Sequence, residues 1–335
     1  MFAMRCHELS ENPDVLTFDE LPPLEPGPNQ VRLQVRACAA NFPDLLMIQG
    51  KYQLKPPLPF VPGMEVAGDI LEAGSECAGI KPGDRVVGGL RYGGYATEAL
   101  IDRSSVAPLP DGVDYAAGCA YRTAYLTAYV ALVRRGELQA GETLLVHGAA
   151  GGVGLAAVEV GRLLGARVIA TAGRDDKLEV VRRFGAHEAI NYSQPNGSLG
   201  GFRERVKELT DGRGADVIYD PVGGSVLDES LRCIAPLGRI LVIGFTSGRI
   251  PSVPANLALI KEFSLMGVRA GEFGRRDPEK GAENLAAVDR WVAEGKIHPH
   301  ICAEFPLQRA ADALQMFVER QVVGKVVLRP DSGMR

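Results

Sequence analysis

One stretch near the middle of the chain constrains the fold more than any other. A short apolar run, Leu144 to Val146, is followed by glycines at positions 148, 151, 152 and 154, and apolar residues at helical spacing then continue from Leu155 to Leu164. A buried strand, a glycine turn and a helix form the context that a dinucleotide-binding fingerprint requires. Glycines let the backbone approach a diphosphate, and the free N–H groups of a helix start attract it. The stretch therefore predicts a diphosphate site, with a plain Gly-Gly connector as the alternative.

The next strand indicates which dinucleotide is bound. It runs from Arg167 to Ala172 and ends in Gly173, with Arg174 and Lys177 shortly after it. An NAD site usually places an acidic residue at this tip to hold the ribose 2′-hydroxyl, whereas a neutral tip followed by two cations suits the 2′-phosphate of NADP. We therefore expect NADP. The alternative is a solvated helix start, because two aspartates follow Arg174 and complement the helix dipole there.

Composition excludes several classes of protein. The chain has 335 residues, with 46% hydrophobic and 23% charged, the usual mixture for a globular protein. A net charge of −4 gives no electrostatic footprint for nucleic acid, and no apolar run is long enough to span a membrane. The first residues do not lead into a signal peptide, and the six cysteines are spread singly without a C-x-x-C pair. We therefore expect a cytoplasmic protein with free thiols.

The distribution of strand and helix patterns along the chain predicts two kinds of domain. Residues 1 to about 120 read as short strands broken by turn signals, which is typical of a small β-barrel. From about 140 to 270, strands alternate with helical patterns, which favours a doubly wound parallel sheet. The chain then becomes helical and closes with a strand at Gly324–Leu328, which we expect to return to the first domain. The predicted boundaries are 1–121 for the barrel domain, 122–270 for the nucleotide-binding domain and 271–335 for the return.

Five motifs in this order resemble a known family. They are Asn41-Phe42-Pro43-Asp44 with Gly50-Lys51-Tyr52, Pro62-Gly63-Met64-Glu65, the glycine-rich stretch at 147–154, Tyr219-Asp220-Pro221-Val222-Gly223-Gly224, and Gly324-Lys325-Val326-Val327-Leu328. Together the motifs resemble the zinc-independent, zeta-crystallin-like NADPH:quinone oxidoreductase branch of the medium-chain dehydrogenase/reductase superfamily. The resemblance implies an α/β fold in which a GroES-like β-barrel catalytic domain accompanies a doubly wound parallel-sheet (Rossmann) domain.

Departures from the zinc-dependent members imply that no metal takes part. Asn41 stands near the position of a zinc-binding cysteine, Met64 replaces the histidine of Gly-His-Glu, and no cysteine lies between Val86 and Tyr95, where a structural zinc lobe would fall. A zinc site needs three or four nitrogen, sulfur or oxygen ligands. The resemblance thus implies hydride transfer from NADPH to a quinone or other conjugated carbonyl, an acceptor that is electrophilic enough to react without zinc.

The resemblance also implies which residues form the site. Asn41, Tyr52 and Thr127 would be catalytic, with Tyr52 bonded to the acceptor oxygen, unless it is simply a packed tyrosine with a solvated hydroxyl. The residues expected to bind the cofactor are Asn41, Thr127, Gly151, Gly152, Val153, Gly173, Arg174, Lys177, Tyr192, Phe245, Thr246, Ser247 and Lys325.

Alternatives remain open for the substrate and for the assembly. Arg122 interrupts an apolar helix start, so it either meets an anionic part of a substrate or pairs with a nearby acid. The first possibility favours an NADPH-dependent enoyl-thioester (2-enoyl-CoA) reductase. A non-catalytic NADPH-binding protein is a third candidate. The apolar strand at Phe263–Val268 would end the parallel sheet, and an uncovered edge invites pairing, so we also expect a homodimer joined there.

Overall fold

A computed structural model describes residues 1–193 and 199–330. The chain forms two compact units, one made of Met1–Thr123 with the segment from His298 onward, the other of Ala124–Ile297. The first boundary lies close to the predicted 121/122. The second lies at 297/298 rather than at 270/271, because the helices that follow residue 270 bond within the second unit: Arg134 donates to Asn284 Oδ1 (2.8 Å) and pairs with Glu283 (2.7 Å).

The N-terminal part of the first unit is mostly strand. Along the first part of its longest strand, apolar and polar residues alternate. Val31, Leu33 and Val35 are buried, and the residues between them are not. Short 3₁₀ turns lie at Pro13–Val15 and Arg103–Ser105. The strands are β1 (Phe2–Cys6), β2 (Leu16–Glu20), β3 (Gln30–Ala40), β4 (Glu65–Ala73), β5 (Arg85–Gly89), β6 (Glu98–Asp102) and β7 (Val106–Pro108), and the helices are α1 (Phe42–Ile48) and α2 (Tyr115–Tyr129).

The second unit is a parallel sheet with helical crossovers, as predicted. Helix α2 runs into it and continues as a π-helical segment, Val130–Arg135. The sheet order is β10-β9-β8-β11-β12-β13, and every neighbouring pair is parallel. Its strands are β8 (Thr143–Val146), β9 (Arg167–Ala172), β10 (Glu188–Asn191), β11 (Ala215–Asp220), β12 (Ile234–Val242) and β13 (Ser264–Gly267). Its helices are α3 (Gly152–Leu163), α4 (Asp175–Arg183), α5 (Phe202–Leu209), α6 (Gly224–Cys233), α7 (Ala255–Lys261), α8 (Ala270–Arg276) and α9 (Pro278–Ala293).

The strand order of this sheet locates its ligand-binding edge. From β8 the chain adds β9 and β10 on one side, then returns to place β11, β12 and β13 on the other. Strands β8 and β11 are therefore neighbours although they are far apart in sequence. In open parallel sheets, ligands bind beyond the carboxyl ends of the strands at such a reversal. The loops that follow β8 and β11 meet this condition.

The C-terminal segment completes the sheet of the first unit. It contains β14 (Ile301–Pro306), a 3₁₀ turn at Leu307–Arg309, α10 (Ala310–Val318) and β15 (Lys325–Arg329). The sheet order is β14-β15-β3-β4-β5-β7, with β6 also on β3, while β1 and β2 pair with each other. Strand β15 pairs antiparallel with β3 so that Val326 faces Ala40. This register brings Lys325 to the end of β3, where Asn41 begins the next turn.

Candidate active site

The loop between β8 and α3 is shaped to receive an anion. Gly148 adopts a φ of +54°, a conformation that L side chains rarely take. A Cβ on Gly154 would overlap the Gly148 carbonyl oxygen, so glycine is needed where the loop folds back on the helix. Helix α3 begins at Gly152 after an N-cap at Gly151. Among the described residues no side chain caps it, and no acidic residue lies in its first turn. The N–H groups at this helix start therefore suit a diphosphate.

Backbone bonds hold this loop between the two neighbouring strands. The His147 N–H donates to the Tyr219 carbonyl of β11 (3.0 Å), and the Ala149 N–H donates to the Thr171 carbonyl of β9 (3.0 Å). The imidazole of His147 is completely buried, and this burial lowers its pKa to about 3. His147 is consequently neutral at physiological pH.

A buried carboxylate shapes the loop after β11. Asp220 Oδ1 accepts the N–H groups of Val222 (2.8 Å) and Gly223 (2.9 Å), whereas Oδ2 has no hydrogen-bond partner in the described parts of the chain. Burial raises the pKa of Asp220 to about 6. The carbonyls of Pro221 and Val222 then accept the N–H groups of Thr246 and Ser247, 3.0 Å in each case.

These bonds gather three predicted cofactor residues at the carboxyl edge of the sheet. Phe245, Thr246 and Ser247 are exposed in the loop after β12 and lie directly against the loop after β11. That loop in turn lies beside the glycine-rich turn, because a Cβ placed on Gly148 would be 3.1 Å from Val222 Cγ2. The structure thus brings the predicted diphosphate loop and residues 245–247 to the same region of the second unit.

The tip of β9 brings together other predicted residues. The Tyr192 N–H donates to the Ala172 carbonyl (3.1 Å), and its ring lies 3.5 Å from where a Cβ on Gly173 would stand. Arg174 makes a bidentate pair with Asp176 at 3.0 and 2.6 Å, and both side chains are largely exposed. Lys177 lies in the first turn of α4. Arg174 therefore engages a carboxylate of its own helix start, as the alternative interpretation of this segment expects.

The remaining predicted residues are divided between the units. Thr127 lies half-buried on α2 in the second unit. Tyr52 lies in the first unit, where its N–H donates to the Leu46 carbonyl (3.1 Å) and its ring packs against the hydrophobic core. Asn41 and Lys325 are also in the first unit.

Asn41 belongs to a buried network that the sequence did not reveal. The Lys325 ammonium donates to Asn41 Oδ1 (2.7 Å) and forms an ion pair with Glu65. The Asn41 amide donates to Glu65 Oε1 (3.1 Å) and to the Ala39 carbonyl (3.3 Å), and the Thr123 N–H donates to Glu65 Oε2 (2.9 Å). Glu65 and Lys325 are 2% and 4% exposed. Lys325, expected from the sequence to bind the cofactor, directs two of its three N–H donors to side chains of its own unit.

The bond pattern limits what Asn41 can do. An asparagine amide has two N–H donors and one oxygen with two lone pairs. Both donors have partners, and one lone pair receives the Lys325 ammonium. Asn41 therefore has no free N–H donor to offer a ligand.

A second buried carboxylate fixes the start of α1. Asp44 accepts the N–H groups of Asn41 (2.8 Å) and Gly63 (3.1 Å), and the Tyr95 hydroxyl donates to it (3.2 Å). Burial raises the pKa of Asp44 to about 7, although these three donors oppose the shift. The Asn41-x-x-Asp44 spacing resembles a capping box, a signal that could have indicated this arrangement from the sequence. Gly63 belongs to one of the five motifs, but nothing in the sequence places it or Tyr95 against Asp44.

Arg122 does not present its guanidinium to solvent. It is 8% exposed, and its Nη1 donates to the Ser105 carbonyl (3.2 Å). No group of three or more His, Cys, Asp or Glu side chains within residues 1–193 and 199–330 is placed to hold a metal ion. In the same residues no helix is long and apolar enough to cross a membrane.

Comparisons with known proteins cover nearly the whole chain. The model of the alcohol dehydrogenase GroES-like domain matches residues 27–111, and that of the zinc-binding dehydrogenase matches residues 152–287. The quinone oxidoreductase-like protein 2 homolog of Nematostella vectensis is 39% identical over 97% of this chain and 88% of its own length. The human quinone oxidoreductase is 33% identical over 98% of this chain and 97% of its own.

A solved structure gives the same correspondence in three dimensions. The Escherichia coli quinone oxidoreductase complexed with NADPH has a TM-score of 0.90 and 30% identity, and the match covers 98% of this chain and all of that one. The fold expected from the sequence, a GroES-like unit and a parallel-sheet nucleotide-binding unit, is thereby confirmed.

Proposed function

Because this chain belongs to the quinone oxidoreductase branch of the medium-chain dehydrogenase/reductase superfamily, we propose that it transfers hydride from NADPH to a quinone or another conjugated carbonyl, without zinc. The observation that carries the proposal is the glycine turn before α3, whose helix start has, within the described chain, no side-chain cap and no acidic residue in its first turn. Such a terminus favours an anion, and the diphosphate of a dinucleotide is the anion that this strand-turn-helix receives.

The residues at the tip of β9 support NADP over NAD. Gly173 leaves the tip without the carboxylate that a 2′-hydroxyl needs, and Tyr192 provides a flat surface beside it. The pair between Arg174 and Asp176 is exposed, and exposed pairs of this kind hold their partners weakly. Arg174 can therefore exchange Asp176 for a 2′-phosphate, to which Lys177 adds a second charge. The related E. coli enzyme was solved with NADPH.

The proposed hydride transfer requires little from the protein beyond positioning the cofactor and the acceptor. The nicotinamide supplies the hydride, so the chain has to hold the acceptor and stabilise the oxygen on which negative charge develops. We assign the Tyr52 hydroxyl to that oxygen. Asn41 has both N–H donors in use, so we assign its Oδ1 to the N–H of the nicotinamide carboxamide and not to the oxygen of a substrate. Thr127, Thr246 and Ser247 offer hydroxyls to the cofactor.

The network around Glu65 supports a zinc-free reaction. Its carboxylate already receives the Lys325 ammonium, the Asn41 amide and the Thr123 N–H. A metal ion bound to Glu65 would have to displace a buried cation. We therefore expect the purified protein to contain less than a tenth of an equivalent of zinc by elemental analysis. Full occupancy would contradict this part of the proposal.

A panel of acceptors tests the function directly. NADPH consumption is followed by absorbance with a neutral quinone, a neutral enone and an enoyl thioester, and each is repeated with NADH. We expect turnover with the quinone or enone and a preference for NADPH. Tyr52→Phe should lower kcat while leaving the dissociation constant for NADPH unchanged. Turnover confined to the enoyl thioester would favour the reductase of that class, and NADPH binding without turnover of any acceptor would favour a non-catalytic role.

We also propose that the protein is a cytoplasmic homodimer joined at β13. In the described part of the chain this strand pairs with β12 and has no second neighbour. Leu265 on β13 is 46% exposed, and Leu259 and Ile260 on α7 are more than 70% exposed. Continued pairing with a second copy would cover this edge. Light scattering at micromolar concentration should give twice the mass of the chain, and a monomer there would refute the dimer.

A further inference from the structure

His147 makes contacts that the proposed function does not require. It is the first residue after β8 and opens the glycine-rich loop. Its imidazole is completely buried, with Nδ1 2.8 Å from Thr171 Oγ1 on β9 and Nε2 2.8 Å from Ser230 Oγ on α6. The ring also meets the edge of Phe202, with centroids 5.0 Å apart. One side chain thus spans from a strand on one side of the loop to a helix on the other.

The neighbouring bonds determine which ring nitrogen carries the proton. A serine hydroxyl has a single hydrogen to donate. Ser230 Oγ lies 2.7 Å from the Val226 carbonyl, which can only accept, so the Ser230 hydrogen is used there. Ser230 must then accept from His147, which places the proton on Nε2. Nδ1 is left as an acceptor for the Thr171 hydroxyl.

Two groups of Thr171, its backbone carbonyl and its side-chain hydroxyl, bond to the glycine-rich loop. Its carbonyl receives the Ala149 N–H and its hydroxyl bonds to His147. The backbone bonds of residues 147 and 149 would form with any side chain at these positions. The imidazole adds a bond from the loop to Ser230 on α6, so it restrains the turn at Gly148 relative to that helix.

We propose that His147 is a positioning residue for the dinucleotide: its Nε2–H tautomer, fixed between Thr171 and Ser230, holds the glycine-rich turn where the N–H groups of the α3 start can meet the diphosphate. The inference rests on the proposed cofactor site. It assigns the neutral imidazole a role in cofactor affinity and none in the transfer of hydride or protons.

Substitutions at position 147 test this role through binding and turnover separately. His147→Leu keeps the bulk and removes both bonds, whereas His147→Gln keeps an amide N–H that can reach Ser230. We expect the dissociation constant of NADPH, from fluorescence titration, to rise at least tenfold in His147→Leu and to recover partly in His147→Gln. The value of kcat at saturating NADPH and the KM for the acceptor should stay within about twofold. Val206→Ala is the matched control, because Val206 is buried in the same cluster as Phe202, so its truncation loosens this core and should leave NADPH affinity near that of the wild type.

The possible failures are distinguishable. If the wild-type protein binds neither dinucleotide, the proposed function itself is wrong. If the wild type binds and folded His147→Leu binds NADPH equally well, the positioning role is overturned. Should His147→Leu not fold, nitrogen-15 NMR of histidine-labelled wild-type protein still decides, because an Nδ1–H tautomer at His147 would contradict the bond pattern. Thr171→Val and Ser230→Ala should then each weaken NADPH binding, and unchanged affinity in both would also refute the role.

Discussion

Replacing Lys325 with methionine would leave the Glu65 carboxylate without its cation inside the first unit. Glu65 is 2% exposed, and in the variant it would keep the Asn41 amide and the Thr123 N–H as donors but lose its cation. Removing one partner of a buried ion pair typically costs about 3–5 kcal/mol, because the other charge stays desolvated. We expect Lys325→Met to lose that much free energy of unfolding and about 10 °C in Tm.

A double variant separates the lost pair from lost packing. In Lys325→Met/Glu65→Gln the buried charge is gone, while the glutamine oxygen can still accept the Asn41 and Thr123 donors. We expect this protein to recover more than half of the lost stability, since neutral replacements of buried pairs are often well tolerated. Thermal unfolding by calorimetry, with all four members of the cycle, gives the coupling energy.

Two results would refute this reasoning. A loss below about 1 kcal/mol in Lys325→Met would mean that the pair behaves like an exposed one. A double variant no more stable than Lys325→Met would mean that the cost comes from packing and not from the unpaired carboxylate. The same proteins also test the assignment of Asn41, because both Lys325 variants free its carbonyl oxygen. Unchanged NADPH affinity in folded Lys325→Met would show that the orientation of this amide does not affect the cofactor.

Three further predictions follow from single residues of the second unit. The buried Tyr219 hydroxyl has no hydrogen-bond partner among the described residues, so Tyr219→Phe should raise stability by about 1 kcal/mol in denaturant unfolding. Burial raises the pKa of Asp220 from 3.8 to about 6, so the native carboxyl keeps a proton that the unfolded chain has lost. Wild-type stability should therefore fall as pH rises from 4 to 7, by about 3 kcal/mol relative to Asp220→Asn, and parallel pH profiles would contradict this. Gly154→Ala should weaken NADPH binding at least tenfold, because the new Cβ meets the Gly148 carbonyl, whereas Gly267→Ala, with open space around it, should not.

Local patterns predicted most of the parallel sheet because its strands are continuous apolar runs. For strand β12, local patterns gave the wrong bounds. The sequence predicts a strand from Arg239 to Gly244, whereas the structure has one from Ile234 to Val242. Pro236, Leu237 and Gly238 read as a turn, and Leu237 indeed has a φ of +60° and is largely exposed. Strand β12 continues on both sides of this irregularity because both parts pair with β11, at Ile234 before it and from Arg239 after it. The register of the pairing shifts between the two parts. Tertiary pairing overrode the local signal.

The sequence named candidate site residues but not the bonds that they make. Lys325 and Asn41 were both expected to contact the cofactor, and both do lie together. They are 284 positions apart, however, and only the β15–β3 register shows that they bond to each other. His147 stood at the head of the motif, but a histidine in sequence gives no indication of its partners on β9 and α6. In both cases the missing information is the pairing of distant segments, which motif spacing does not contain.

The buried side chains of Lys325 and His147 suggest a common reason why positioning roles are not found by sequence analysis. Lys325 and His147 both use polar atoms for bonds within the protein, and each lies against or within an element that we propose meets the cofactor: the Asn41 amide in the first unit and the glycine-rich turn in the second. A hydride transfer depends on distance and alignment more than on an acid or a base from the protein. Groups that hold geometry can serve such chemistry, and they are recognised by the bonds they make in the folded chain. The Lys325 and His147 variants should therefore change cofactor affinity before they change the rate of the chemical step, and a loss of kcat with unaltered affinity in both would oppose this view.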